Sequence, residues 1–282
     1  MLYRALTFAA RYVGKPPGYE RLVRRLIPPG FVGDRPPQLV SLRGEPLILA
    51  DPRTPLGWNL LFFGTYEPEL RDYFRSVLRA GGVAVDVGAN VGWHTLLMAQ
   101  CVGDRGRVLA FEPNPSVRDR LRFHVSLNRL SQVDVFPFAL TDRAERLPFN
   151  APAVDDAHAG DGCLMVEGPA RTPGSVDVDA TPFDALLPRL ELARLDLIKI
   201  DVEGFEWPAL RGAEQAIATF RPHVIFEFIR EYLERGGGTE TDLQDFFSRH
   251  RYRVYVFSRR GLELPRGNQW PEAANLCAVP LS

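Results

Sequence analysis

The chain reads as an α/β protein built on a mostly parallel sheet with helices on both faces. Three observations predict it. Beyond Gly82, short β-branched runs alternate with stretches of helical period, the pattern of βαβ units joined by right-handed crossovers. The run VAVDVGANVGWHT, Val83 to Thr95, sets a strand, a Gly-rich turn and a helix start in direct succession. The segment LDLIKIDVEGFE, Leu195 to Glu206, reads as a central strand that nonetheless carries charge.

In chain order, residues 1–45 interleave short helical patterns with the proline clusters KPPG, IPPG and RPPQ, an arm set apart from a domain expected over residues 46–282. Its opening, LYRALTFAARYVG, is expected as an amphipathic helix packed on the domain, with a membrane-surface anchor as the competing reading. From Leu47 to Phe63 short apolar runs read as strands around turns. EPELRDYFRSVLRAGG has helical spacing, with Pro68 in its first turn and Gly81–Gly82 as its stop. VAVDVG is then a strand, GWHTLLMAQCV a helix and GRVLAFEP a strand. SVRDRLRFHVSLNRL is a helix opened by Ser116 with Asp119 three residues on, and VDVFPFAL a strand. TPFDALLPRL is a short helix capped by Thr181, with Pro182 first and Asp184 closing the box. LDLIKIDV is a strand, PALRGAEQAIATF a helix and HVIFEF a strand. TDLQDFFSRH is a helix capped by Thr241 with Gln244. YRVYVFS and NLCAVP close the chain with no helix between them, so one of the two should run antiparallel. Residues 150–176, rich in Gly, Ala, Pro and Asp around CLMV, break the rhythm and read either as a surface loop or as an active-site cover.

Composition narrows the function. The 282 residues are 45% hydrophobic and 24% charged, with a net charge of −1, which gives no global attraction to nucleic acid or anionic membranes. Only RLVRRL, Arg21 to Leu26, is locally basic. No apolar run approaches ~20 residues, so no membrane span is expected. Cys101, Cys163 and Cys277 are odd in number and form no CxxC. They argue against a disulfide framework or a zinc site and fit a reducing cytoplasm. Lys15 and Lys199 are the only lysines, a bias expected of a GC-rich bacterial genome, and it makes an ammonium inside a strand conspicuous.

In a doubly wound sheet, ligands bind beyond the carboxyl ends of the strands. DVGANVG puts Gly88, Asn90 and Gly92 there, and Glu112 ends the next strand, where a carboxylate accepts hydrogen bonds from vicinal ribose hydroxyls. A pyrophosphate needs the full G-x-G-x-x-G, whereas here Trp93 and His94 crowd the helix start and Asp86 would repel a phosphate. A sulfonium amino acid suits these carboxylates, which favours S-adenosylmethionine over NAD.

VDVGANVGWHTLLMA, FEPNP, LNRL, FALTD and LDLIKIDVEGFEWPALRGA, with GTYEPEL upstream, resemble the FkbM-type family of S-adenosylmethionine-dependent methyltransferases over residues 60–280. The resemblance implies a class I methyltransferase, Rossmann-like fold: a seven-stranded, mostly parallel sheet with one antiparallel strand. It also implies methyl transfer to oxygen, on a hydroxyl of a polyketide- or macrolide-like natural product or of a saccharide. By carry-over Asp86, Gly88, Asn90 and Gly92 line the methionine part of the cofactor and Glu112 holds the ribose. Asn114 and the run Ala139 to Asp142 fall near ribose and adenine, and Tyr66 and Glu67 either fold over the cofactor or merely start a helix.

With period two, Lys199, Asp201 and Glu203 share one face of their strand and Ile198, Ile200 and Val202 the other. A central parallel strand is usually apolar on both faces, so three aligned charges imply partners. In the methyltransferase strand order Asp86 and Glu227 flank them. The cluster is then either an ion-pair network that fixes strand ends or the catalytic group. In the second case Asp201 meets the cofactor's amino group, and Lys199, Glu203 or Glu227 orients or deprotonates the acceptor hydroxyl. Asp201, Glu203 and Glu227 would suit Mg²⁺ only with the lysine facing away, so no metal is expected. His94 either turns toward the cofactor or only packs, His124 and His250 read as packing or surface residues, and His223 lies at the wrong end of its strand. His158 is the histidine to test on the acceptor side, and Phe205 and Trp207 either wall the acceptor or pack a helix. A methyltransferase-like binding module without turnover and an NAD-dependent oxidoreductase are the competing functions. The acceptor and the oligomeric state, a homodimer through the arm included, stay open.

Overall fold

The computed structural model describes residues 19–26, 35–42, 44–150, 163–164, 175–258, 260–265, 267 and 269–281. His158 and the stretch LYRALTFAARYVG lie outside them. Helix α1 (Tyr19–Leu26) buries Tyr19 and Val23 in one apolar cluster with Trp58, Leu60 and Phe63. Strand β1 (Gln38–Val40) pairs antiparallel with β2 (Ile48–Ala50), so a backbone ladder crosses from the arm into the following segment. Where strands were expected up to Phe63, the chain forms α2 (Pro55–Phe63). The Thr54 side chain accepts the Gly57 N–H, Pro55 presets the first turn and Gly64 ends the helix at φ 64°. These start and stop signals outweigh the strand-prone aromatics between them. Helix α3 (Pro68–Val77) follows.

Two parallel crossovers come next: β3 (Val83–Val87), α4 (Trp93–Val102), β4 (Arg107–Phe111), α5 (Pro115–Leu127) and β5 (Val133–Phe136). Helix α5 is capped by Asn114, whose side chain accepts the Ser116 N–H, and not by Ser116 itself. Strands β6 (Ala139–Leu140), β7 (Glu145–Asn150), β8 (Cys163–Leu164) and β9 (Ser175–Thr181) form a separate sheet in the order β6-β9-β7-β8. Pro137 lies between β5 and β6 and divides the expected strand VDVFPFAL between two sheets, since proline cannot donate to a ladder. The 150–176 stretch falls mostly outside the described residues, but CLMV supplies β8 beside β7.

Helix α6 (Phe183–Leu190) starts from Pro182, while Thr181 ends β9, so the expected threonine cap is absent. Asp184 instead accepts the N–H groups of Gln215 and Ala216. Strand β10 (Leu197–Ile200) leads to α7 (Glu206–Arg211) and α8 (Glu214–Phe220), two helices where one was expected. The break is at Gly212, where a Cβ would stand 1.9 Å from the Thr141 carbonyl oxygen. Then come β11 (His223–Ile229), α9 (Arg230–Arg235), α10 (Glu240–Arg249), β12 (Tyr252–Ser258), β13 (Gly261–Glu263) and β14 (Ala273–Pro280). Helix α10 is capped by Thr239 in a reciprocal box with Asp242, two residues ahead of the expected Thr241.

The main sheet runs β13-β12-β14-β11-β10-β3-β4-β5. Its last seven strands follow the expected Rossmann-like order, with β14 antiparallel to both β11 and β12. The short β13, the hairpin partner of β12, adds an eighth strand that the sequence reading lacked. Alternate residues of β3 feed opposite cores, as period two requires: Ala84 packs with α2, α3 and α4, while Val85 and Val87 pack with α6, α7 and α8. The carboxyl ends of β3, β4, β10 and β11 frame one pocket.

Candidate active site

The turn after β3 is shaped by contacts that only particular residues allow. Gly88 has φ 74°, and a Cβ there would stand 1.8 Å from the Asp201 carbonyl oxygen, so the turns after β3 and β10 pack backbone to backbone. Asn90 adopts φ 49°, which asparagine tolerates, and its Oδ1 accepts the Val91 N–H at 2.7 Å. The backbone N–H of Asn90 donates to Glu112 Oε2 at 2.9 Å and that of Asn114 to Oε1 at 2.8 Å. Burial pushes the Glu112 carboxyl up to about 7, while the two N–H donors pull it down. A carboxylate has about four lone-pair sites, so acceptor capacity remains for a diol. The Asn90 N–H that a pyrophosphate would take is already committed.

Strand β10 aligns Lys199 with Asp86 of β3. Lys199 is only 2% exposed, with Nζ 3.0 Å from Asp201 Oδ2 and 3.8 Å from Asp86 Oδ1. Burial alone would lower its pKa, but the two carboxylates outweigh it and hold the ammonium above its ordinary range. Asp86 is fully buried and accepts the Thr95 hydroxyl at 2.5 Å. Strand parity sends it beneath the pocket to face the ammonium, so it does not line the wall where the family pattern put it. Glu227 lies one residue past the Phe226–Ile200 register pair, beside Asp201. Carboxylate oxygens of Asp201, Glu203 and Glu227 come within 4.8 Å of one another. Lys199 already supplies a positive charge 3.0 Å from Asp201 Oδ2 in this group.

Glu203 stands at φ 53° in a turn closed by Glu206. The buried Glu206 accepts the Val202 and Gly204 N–H groups at 3.0 and 3.2 Å, a role the motif alone did not reveal. Burial pushes Glu206 up to about 7 against these donors, and burial followed by Asp201 and Glu203 pushes Glu227 up to about 9.

The segment ahead of α3 adds Tyr66 and Glu67 to the wall. Glu67, at φ 44°, has Oε2 3.0 Å from His94 Nε2 and accepts from Asn275 Nδ2 at 3.0 Å. Burial would raise its carboxyl, but the imidazole of His94 opposite it brings it down to about 2. The Tyr66 carbonyl accepts the Trp93 indole N–H at 3.2 Å, and burial followed by Glu67 raises the Tyr66 phenol. His124 is fully buried. Its Nε2 accepts the Leu49 N–H at 3.0 Å and its Nδ1 donates to the Val91 carbonyl at 2.7 Å, which fixes a neutral ring. Burial accordingly lowers its pKa to about 4. This histidine ties β2 to the glycine turn and brings the segment Leu49 to Gly57 into the pocket wall, an element that sequence reasoning missed.

Tyr66, Glu67, Gly88, Asn90, Glu112, Asn114, Ala139, Lys199, Asp201, Glu203 and Glu227 thus line one pocket, with His94 and Trp93. Gly92 abuts Leu121 behind it, and Asp142 is ion-paired with Arg211 outside it. Phe205 packs with Phe149 and Val178, and Trp207 packs edge-on against Phe246, so both side chains serve packing. His223 meets Tyr73 and His250 meets Glu214, both away from the pocket. Among the described residues no helix is long and apolar enough to cross a membrane.

Residues 86–254 match the family described as "Methyltransferase FkbM domain". The chain is 29% identical over 187 residues to "Methyltransferase sdnD" of Sordaria araneosa, covering 54% of this chain and 72% of that protein. It is 29% identical over 132 residues to "Hexuronic acid methyltransferase AglP" of Haloferax volcanii, covering 47% of this chain and 50% of that protein. With "2-O-methyltransferase NoeI" of Sinorhizobium fredii it shares 26% identity over 164 residues, 55% of this chain and 66% of that one.

Proposed function

The chain belongs to the FkbM methyltransferase family, and from that premise we propose that it transfers a methyl group from S-adenosylmethionine to a hydroxyl of a saccharide or of a polyketide- or macrolide-like natural product. The observation that carries this reading is the pairing within one pocket of Glu112, held ready for a diol, with the Lys199, Asp201, Glu203 and Glu227 cluster. When bound, the cofactor supplies an electrophilic methyl on a sulfonium. Gly88 lets the backbone floor approach it, Glu112 accepts the ribose hydroxyls and Asp201 meets the amino group. Glu203 and Glu227 align the acceptor O–H and take its proton, while Lys199 holds Asp201 in place. Positioning supplies most of the rate, because an alcohol needs to lose its proton only as the new bond forms. A relative named for a hexuronic acid favours a saccharide acceptor, and one named for 2-O transfer favours oxygen as the atom methylated.

The test is transfer of labelled methyl to a panel of hydroxylated metabolites and glycans, with Asp201→Asn, Lys199→Met and Glu227→Gln as comparisons. A product methylated on oxygen, lost in all three variants, is expected. Full turnover in Lys199→Met and Glu227→Gln would reduce the cluster to a structural role. Cofactor binding with no transfer to any acceptor would favour a binding module, and NADH binding in place of S-adenosylmethionine would overturn the assignment.

A further inference from the structure

We propose that Glu227 holds a proton in the cofactor-free pocket and releases it when the cationic cofactor enters, which frees that carboxylate to accept the acceptor's hydroxyl proton. The inference rests on the cofactor reading above. It starts from how charge is shared at this end of the pocket. One ammonium, Lys199, serves two carboxylates, Asp201 at 3.0 Å and Asp86 at 3.8 Å. Glu227 faces the same space, yet among the described residues it forms no ion pair. Its oxygen comes within 4.8 Å of those of Asp201 and Glu203. The groups around it are Lys199, Asp201, Glu203 and Glu206 from β10 and the turn after it, Tyr66 from the loop before α3 and Asn275 from β14. The Asn275 amide is committed to Glu67. Apart from Lys199 these neighbours are anionic or neutral, so an ionised Glu227 would be a further negative charge in a crowded, half-buried site. Keeping the proton relieves it, and the rise of this carboxyl to about 9 has the same direction and cause.

A sulfonium and an α-ammonium bring the missing positive charge, and a group whose proton affinity falls on binding releases its proton. The release at binding is Glu227–COOH to Glu227–COO⁻ plus a proton to solvent. In turnover the hydroxyl oxygen gains the methyl and its proton passes to the Glu227 carboxylate. The positive charge lost from sulfur reappears as that proton. S-adenosylhomocysteine keeps the α-ammonium but has a neutral sulfur, so it should displace less.

The experiment is titration calorimetry of the full chain with S-adenosylmethionine and with S-adenosylhomocysteine, at about pH 6.5 to 7, where the α-amine of either ligand stays protonated, in buffers of different ionisation enthalpy. About one proton should leave per S-adenosylmethionine bound and fewer per S-adenosylhomocysteine. Affinity for the former should rise with pH, by at most about tenfold per unit, until the cofactor's own α-ammonium begins to lose its proton at about pH 8. Glu227→Gln, which mimics the protonated acid in shape, should bind without net proton release. A carboxylic-acid carbonyl band in the infrared difference spectrum should vanish on loading the wild type and be missing in Glu227→Gln. Binding heats independent of buffer in the wild type, or equal proton release in Glu227→Gln, would overturn the proposal. A wild type that binds no S-adenosylmethionine would overturn the cofactor reading instead.

Discussion

At one end of the pocket Glu112 is satisfied before any ligand arrives, because two backbone N–H groups hold its oxygens at 2.9 and 2.8 Å. At the other end Asp201, Glu203 and Glu227 crowd within 4.8 Å of one another, with the ammonium of Lys199 3.0 Å from Asp201. The first end meets a carboxylate with dipoles and is left able to accept neutral hydroxyls. The second end is short of positive charge, and a cation completes it. In the proposed complex, similar side chains would meet opposite ends of one molecule, and the distinction lies in the backbone and the strand pairing that surround them.

The comparison breaks hardest at Lys199. Lys199→Met strands Asp86 and Asp201 beside each other, and loss of one partner from a buried pair costs about 3–5 kcal/mol. Urea unfolding should show that loss, and adding Asp86→Asn should recover most of it. A loss below about 1 kcal/mol would mean that the shared ammonium does not hold this end together.

Glu112→Gln should lower cofactor affinity by about 10- to 100-fold, the equivalent of about 1.5–3 kcal/mol for a hydrogen bond to a charged group. Because the ribose is common to both ligands, S-adenosylmethionine and S-adenosylhomocysteine should weaken equally, whereas Glu227→Gln should separate them. Unequal weakening in Glu112→Gln would remove the distinction between the two ends.

His124, which braces the Glu112 side, makes a smaller, pH-dependent contribution. Its folded pKa is lowered, so the neutral ring belongs to the folded state. The associated stability is present above the ordinary histidine value of about 6.5 and fades as pH falls toward 4, a loss of about 2 kcal/mol by pH 5. Glu112, Glu206 and Glu227 work the other way, since their raised values favour folding at low pH and withdraw that stability as pH rises. The histidine share is therefore the part of the acid-side slope in urea midpoints that disappears in His124→Gln. An unchanged slope in that variant would show that the ring does not carry it.

Both ends were partly legible in the sequence, for different reasons. Glu112 and the glycine turn are local: a strand end, a turn and a fixed spacing. The meeting of Lys199, Asp201, Asp86 and Glu227 followed from period two combined with strand order. The same parity puts Asp86 on the Lys199 side of the sheet, beneath the pocket, although the family pattern alone placed it on the wall. What stayed hidden joins distant parts of the chain. The Leu49 bond to His124 spans 75 residues and the Glu67 bond to Asn275 spans 208, and no periodicity links such positions. Helix α2 had its signals in Thr54, Pro55 and Gly64, but the aromatics between them favoured a strand. Glu206 was visible in DVEGFE, yet its hold on two backbone N–H groups exists only once the turn is folded.

Glu67 and Glu203, both on the pocket wall, occupy left-handed backbone, at φ 44° and 53°. That geometry costs a residue with a side chain roughly 1–2 kcal/mol, which glycine would not incur. Once the extra freedom of glycine in the unfolded chain is subtracted, Glu203→Gly should gain up to about 1 kcal/mol and melt a few degrees higher. It should also be a poorer catalyst. A screen for heat resistance alone would then favour glycine at position 203, and a variant so improved would be a sturdier protein with an emptier pocket.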